Sequence, residues 1–528
     1  MTVIKILKEF LFILRGQKNM EESSRTKNSI RNIIFSFLNQ IITLLLGLIN
    51  RSVFIWILGI DYLGISGLFS DILMMLSLAD LGFGVALTYS MYKPLAEHDY
   101  NRLAALTNLY RKVYRIIALA VTVIGLLLVP FLKYLINLKH PIPHITLYYV
   151  MYLANTVASY LVIYKTSIIT ADQKDYILNK YRSYFSVLQT LFMTIFLWVT
   201  RNYFIYLLVQ VIFTYAQNFY CSHVASKMYP FINKRVKMPF KEVKEIFQNL
   251  YSVFLYKISG VLLNATDNTI ISIMIGTGMV GYYSNYSMIT TRLTGLINTI
   301  FYSLTASLGN LVVKEKPERR YKVFLVMQSV SSIFSTTCVI CLMLLTQDFI
   351  RIWLGKNYLL SDTTLMAILF NFYLGVILLP IWVYREATGL YRQTKYVMVI
   401  TAIINLALSI YLARVMGVTG VLFASAVARL LTYFWYEPVL LFKKYFGESS
   451  LIYFCHIGIN MFITVMIAGL EYITLGKIEP NNWGTFIIKA IIIGISSLSL
   501  VMLFYIRTGG FKLILNRIKS FYVTSKKS

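Results

Sequence analysis

Runs of about 20 apolar residues recur along this 528-residue chain, parted by short polar stretches. A helix rises about 1.5 Å per residue, so one such run crosses the roughly 30 Å hydrocarbon core of a bilayer. Lipid offers the backbone no hydrogen bonds, and a helix satisfies them within the segment. The composition agrees: 58% of residues are hydrophobic and 14% charged, too little charge to cover a soluble surface of this size. The expected fold class is an all-α integral membrane protein.

Fourteen spans are expected, near residues 33–58, 66–91, 114–136, 145–169, 184–200, 203–222, 249–275, 281–311, 323–346, 363–388, 396–414, 418–442, 452–473 and 484–506. Only "TRNY" parts the fifth from the sixth, which predicts a tight hairpin. Basic residues set orientation. With the N-terminus inside, most of the 50 Lys and Arg fall in cytoplasmic segments. The outer side keeps Arg51, Lys133, Lys139, Arg201, Arg351, Lys356, Arg414 and Lys477. Both termini are therefore expected in the cytoplasm. The net charge of +28 is spread between apolar runs, which suits an anionic leaflet and not a nucleic acid. At the start, Ile4, Leu7, Leu11 and Leu14 share one helical face, so 1–30 reads as an amphipathic segment on the inner leaflet. Residues 223–248 read as a cytoplasmic linker whose Phe240, Val243, Ile246 and Phe247 face one way. Residues 508–528 form a basic tail.

The chain repeats itself. "LGIDYLGIS" joins spans one and two, and "IGTGMVGYY" joins seven and eight. Gly59 and Gly64 match Gly276 and Gly281 at one offset. Tyr164, Lys165 and Gln173 after span four match Tyr384, Arg385 and Gln393 after span ten. A shift of six spans preserves orientation, so two parallel six-helix lobes are expected, 31–222 and 249–443. Two more helices follow within 444–507. Transporters with such repeats hold substrate between the halves.

Charges inside spans are costly and face water or a partner. Arg292 and Arg429 lie near mid-depth of spans eight and twelve, Arg292 roughly 16 Å below its outer turn. Lys257 is placed in span seven and Arg51 in the outer third of span one. Lys489, near a span end, is expected to snorkel. The carboxylates are Asp71 and Asp80, nine residues apart on span two and so on opposite faces, and Asp267 in span seven. Each suits either structural pairing or coupling to H+ or Na+. Mid-depth arginines cannot snorkel, and an anionic ligand is the simplest partner for a planar guanidinium. Tyr89, Tyr283, Tyr286 and Tyr302 lie within spans and offer faces and hydroxyls that suit a sugar. Cys338 and Cys341 make a CxxC in an apolar stretch without the polar surroundings of a redox or metal site. No metal and no cofactor is expected.

"GIDYLGISGLFSDILMMLSLADLGFGVALTYSMYKPLAEHD" (59–99) and "NATDNTIISIMIGTGMVGYYSNY" (264–286) resemble the bacterial polysaccharide transporter family, the O-antigen and capsule flippase branch of the multidrug/oligosaccharidyl-lipid/polysaccharide superfamily. The resemblance covers essentially the whole chain. It implies two six-helix lobes in a V with two added C-terminal helices. It also implies an undecaprenyl-diphosphate-linked oligosaccharide moved from inner to outer leaflet of the bacterial plasma membrane. A cationic cavity between the lobes would take the diphosphate, with Arg51, Lys257, Arg292 and Arg429 as its candidates here. Membrane lipids, H+ or Na+, and a polysaccharide polymerase with its chain-length machinery are the implied partners. The competing readings are an ion-coupled multidrug exporter, disfavoured by a basic midplane, and a membrane polymerase or ligase, which needs a large outer catalytic loop. A non-enzymatic transporter is the expectation.

Overall fold

The structure, a computed structural model, describes residues 42, 44–77, 83–172, 174–506 and 508–513. The amphipathic segment 1–30, Asp80, Gln173 and nearly all of the basic tail lie outside the described residues.

The described residues are helical, with no strand among them. In chain order they form α1 (Leu44–Leu58), α2 (Ile60–Leu76), α3 (Phe83–Ala96), α4 (Tyr100–Leu127), α5 (Ile145–Tyr160), α6 (Ile163–Ala171), α7 (Asp175–Thr200) and α8 (Tyr203–Met228). Then come α9 (Phe240–Met274), α10 (Thr277–Tyr302), α11 (Thr305–Lys314), α12 (Pro317–Trp353), α13 (Asp362–Ile377), α14 (Leu379–Thr388), α15 (Tyr391–Leu431), α16 (Tyr433–Leu441), α17 (Ser450–Glu471) and α18 (Trp483–Tyr505). Among the described residues eight segments are long and apolar enough to cross a membrane, and ten when each of two bent pairs counts as one span. The fold is that of a multi-pass, all-α membrane protein.

Local chemistry sets the breaks. In the hairpin after α7, Arg201 turns left-handed at φ 50°. Asn202 then caps α8, its side chain accepting from the Phe204 N–H. Pro317 opens α12, where a missing N–H costs nothing. A capping box between Asn482 and Thr485 starts α18. The linker helix expected before span seven is continuous with that span, since α9 runs unbroken from Phe240. Spans eleven and twelve are one helical run, α15, broken at Gly417.

Two spans that the sequence pattern pairs share one feature. Spans four and ten are both broken: α5 and α6 meet at 47°, α13 and α14 at 43°. Matching bends at matching places are what a duplicated bundle predicts.

The chain packs as two compact units. One holds the described residues up to Ser284 together with Met398–Val421; the other holds Asn285–Val397 and the residues from Leu422 onward. The first is built on Ile65, Leu68, Phe69, Tyr114, Tyr149 and Ile168, all fully buried. Tyr203 is its polar centre. Its ring meets Phe54, Tyr62 and Tyr148 edge-on at 5.7, 5.1 and 4.7 Å. Its hydroxyl lies 2.9 Å from Ser66 Oγ and 3.2 Å from the Tyr152 hydroxyl. Each such ring pair contributes about 0.5–1.5 kcal/mol beyond its buried area.

In the second unit Asn460 is the hub. Its Oδ1 accepts from the Tyr373 hydroxyl at 2.6 Å, and its Nδ2 donates to Thr336 Oγ1 at 2.8 Å and to the Tyr505 hydroxyl at 2.5 Å. These bonds tie α17 and α18 to α12 and α13.

Candidate functional site

The segments that resemble the transporter family meet at a close helix crossing. Gly59 and Gly276 precede α2 and α10 with φ of 87° and 141°, a range that side chains resist. One turn on, Gly64 and Gly281 face each other. A Cβ on Gly64 would fall on the Thr277 carbonyl, and one on Gly281 would lie 2.5 Å from the Ile60 carbonyl oxygen and 3.1 Å from Gly64 N. Thr277 fastens the crossing. Its N–H donates to Asn137 O at 2.7 Å, and its Oγ1 accepts from Asn137 N at 2.8 Å and pairs with Ser272 Oγ at 2.7 Å.

Four of the sequence-derived candidates lie on α1, α2 and α9 of the first unit. Arg51 on α1 is half-buried and donates from Nη2 to Ser284 Oγ, one turn past Gly281. Asn50 beside it accepts from the Tyr206 hydroxyl at 2.7 Å and donates to Thr194 Oγ1 at 3.1 Å. Asp71 and Asp267 are brought together. Asp71 on α2 lies within electrostatic reach of Asp267 on α9, and the Asn268 side chain hydrogen-bonds Asp71. Asp267 is buried. Two carboxylates from crossing helices repel each other, and a shared proton or a monovalent cation offsets that repulsion. Lys257, also on α9, is half-buried and has no ion-pair partner among the described residues.

The remaining candidates lie in the second unit. Arg292 on α10 is half-buried, with no hydrogen bond or ion pair among the described residues. Arg429 on α15 is half-buried within electrostatic reach of Tyr433. Tyr286 departs from its expected role. It is fully buried, and its hydroxyl donates to Gln347 Oε1 at 2.6 Å while accepting from Leu360 N at 2.9 Å, so it is a structural tie.

Lys489 does not snorkel. It is 4% exposed and donates to Asp348 Oδ2 and to the Ile478 carbonyl, both at 2.7 Å. Arg351 bridges the same Asp348 and Glu479, each at 2.7 Å. A carboxylate on the neighbouring helix outcompetes the interface as a partner for the ammonium. Two buried acids escaped the sequence reading. Glu437 accepts from Arg385 Nη1 at 3.1 and 3.0 Å, and Glu471 accepts from Ser496 and Ser497, both at 2.7 Å. The repeat pattern marks Arg385, but only its burial shows that it needs an acid such as Glu437. Glu471 gave no such signal. Among the described residues no group of three or more His, Cys, Asp or Glu is placed to hold a metal ion.

Comparison with known proteins agrees with this architecture. The sequence model described as "Polysaccharide biosynthesis protein" matches residues 29–305, more than half of the chain. No curated protein sequence matches it. Among solved structures, "Lipid II flippase MurJ, inward closed conformation" superposes with a TM-score of 0.66 at 17% identity, covering 90% of this chain and 99% of that one. An inward-facing multidrug resistance MATE family transporter of the MOP superfamily gives 0.59 at 13% identity, covering 76% and 97%. A MOP superfamily transporter from Pyrococcus furiosus gives 0.55 at 14%, covering 82% and 98%. At these identities the structural likeness speaks for the fold. The match over residues 29–305 shows that the chain belongs to the polysaccharide biosynthesis protein family.

Proposed function

We propose that the protein is a flippase that carries an undecaprenyl-diphosphate-linked oligosaccharide from the inner to the outer leaflet of a bacterial plasma membrane. It works by alternating access, with both termini in the cytoplasm. Repeat 31–222 and repeat 249–443 are the moving lobes, and 444–507 adds the last two helices. Arg292 carries the reading: a guanidinium in the middle of a long apolar helix, half-buried, with no protein acid to balance it among the described residues. An unbalanced charge at that depth is costly, and an anionic headgroup offsets the cost while it is bound. Arg51, Lys257 and Arg429 add positive charge along the path, and the polyprenyl tail stays in lipid. Such a ligand is delivered and consumed by other polysaccharide enzymes, including a polymerase. Asp71 and Asp267 are the groups to which H+ or Na+ would couple.

The test is complementation of a deletion strain. Arg292→Ala and Arg429→Ala are expected to abolish surface polysaccharide with normal protein abundance in the membrane. Wild-type polysaccharide from both variants removes the cationic path.

A further inference from the structure

The two repeats carry the same basic position and treat it differently. Tyr164–Lys165 and Tyr384–Arg385 sit at matching places on the second limb of a broken span, α6 and α14. In the second repeat the charge is closed off: Arg385 is 6% exposed and held on both oxygens of Glu437. In the first repeat no acid takes that part among the described residues. Lys165 Nζ donates to Ser226 Oγ at 3.0 Å, a neutral partner. A second cation, Arg111 on α4, stands over the Tyr164 ring at 5.2 Å from its centroid and within electrostatic reach of Lys165. Its Nε is buried and has no hydrogen-bond partner among the described residues. Two acids near it are engaged elsewhere. Asp172 pairs with Lys174 at 2.6 Å and accepts from the Tyr229 hydroxyl at 2.5 Å; Asp175 accepts from Thr170 Oγ1 at 2.7 Å.

We propose that Arg111 and Lys165 form a phosphate-binding site at this end of the first repeat, distinct from the path of Arg51, Lys257, Arg292 and Arg429. Two half-buried like charges within electrostatic reach repel each other, and neither has a counter-ion among the described residues. A phosphate corrects both faults at once. The guanidinium fork takes two oxygens, the ammonium takes a third as a compact charge, and the Ser226 hydroxyl stays within reach. The tyrosine ring under Arg111 holds the guanidinium in place, as a cation over a π face. The ligand is a phosphate group, supplied either by a phospholipid headgroup or by a soluble diphosphate. On the inside-first topology this end lies at the cytoplasmic leaflet, where both are present. The inference does not rest on the flippase reading, since a binding measurement needs no transport.

The test uses the full chain in phosphatidylcholine nanodiscs. Inorganic pyrophosphate is titrated calorimetrically in one arm. In the other, retention of phosphatidylglycerol is read by native mass spectrometry. Wild type is expected to bind in at least one arm; pyrophosphate binding assigns a soluble source and phosphatidylglycerol retention alone assigns the lipid. Arg111→Gln and Lys165→Gln are expected to weaken binding about tenfold or more, as loss of a charge-assisted contact predicts. Lys180→Gln, at an exposed neighbouring lysine, keeps it. Ser226→Glu supplies the acid that Glu437 supplies in the other repeat, and is expected to abolish binding without lowering thermal stability. It carries the test even where an Arg111 variant folds poorly. No binding by folded wild type in either arm overturns the site, and so does undiminished binding by Ser226→Glu.

Discussion

Gly64 and Gly281, 217 residues apart in sequence, meet where α2 crosses α10, and the backbone facing each leaves no room for a Cβ. The nearest obstacle to each is a carbonyl oxygen: that of Thr277 for Gly64 and that of Ile60 for Gly281. A backbone obstacle cannot turn aside as a flexible side chain can. Gly64→Ala and Gly281→Ala are therefore expected to destabilise the protein by about 1–3 kcal/mol each, the usual cost of overpacking. Thermal unfolding in detergent measures it. Because both act on one crossing, the double variant is expected to cost less than the sum of the singles.

The Arg385–Glu437 pair gives a second prediction. Both side chains are less than a tenth exposed. Removing one partner takes the carboxylate from a buried guanidinium, so Glu437→Gln is expected to cost about 3–5 kcal/mol. Replacing both, as Arg385→Met with Glu437→Leu, is expected to recover most of that loss. Denaturation of the three variants decides it; a double variant as unstable as the single shows that the pair is not an isolated exchange of charge.

Asn460 makes three hydrogen bonds to three other helices. Asn460→Leu leaves the hydroxyls of Tyr373 and Tyr505 to find other partners in an apolar core. A loss of about 1–3 kcal/mol is expected, the cost of stranding buried polar groups. Limited proteolysis of the membrane-embedded protein is expected to show α17 and α18 released first.

Much of this was legible beforehand, and the reasons are physical. A span is a run of apolar residues long enough to cross lipid, so α4, α7, α8, α12, α17 and α18 follow from length and hydropathy alone. The matched glycines were legible because a left-handed turn and a backbone contact admit no other residue. Partners were harder. The pairing of Lys489 with Asp348, and the meeting of Asp71 with Asp267, depend on which helices lie side by side, and periodicity along one helix does not report its neighbours. Tyr286 shows the same limit: as a sequence letter it suits a sugar, and only its contacts with Gln347 and Leu360 reveal a structural tie.

The Asp71–Asp267 meeting separates two roles. If these carboxylates couple transport to a cation, Asp71→Asn and Asp267→Asn are expected to keep the protein folded while removing the dependence of transport on Na+ or pH. Unchanged ion dependence in both variants assigns the pair a structural role.

The most direct measurement is translocation itself. The purified protein is reconstituted in liposomes with an undecaprenyl-diphosphate oligosaccharide in one leaflet, and its appearance in the other is followed by an added glycan-modifying enzyme. Wild type is expected to move the lipid, Arg292→Ala to lose at least nine-tenths of the rate, about 1.4 kcal/mol or more, and Arg292→Lys to recover part of it. Full activity of Arg292→Ala alongside Arg429→Ala, with the lipid still crossing, contradicts the claim that these guanidinium groups receive the diphosphate.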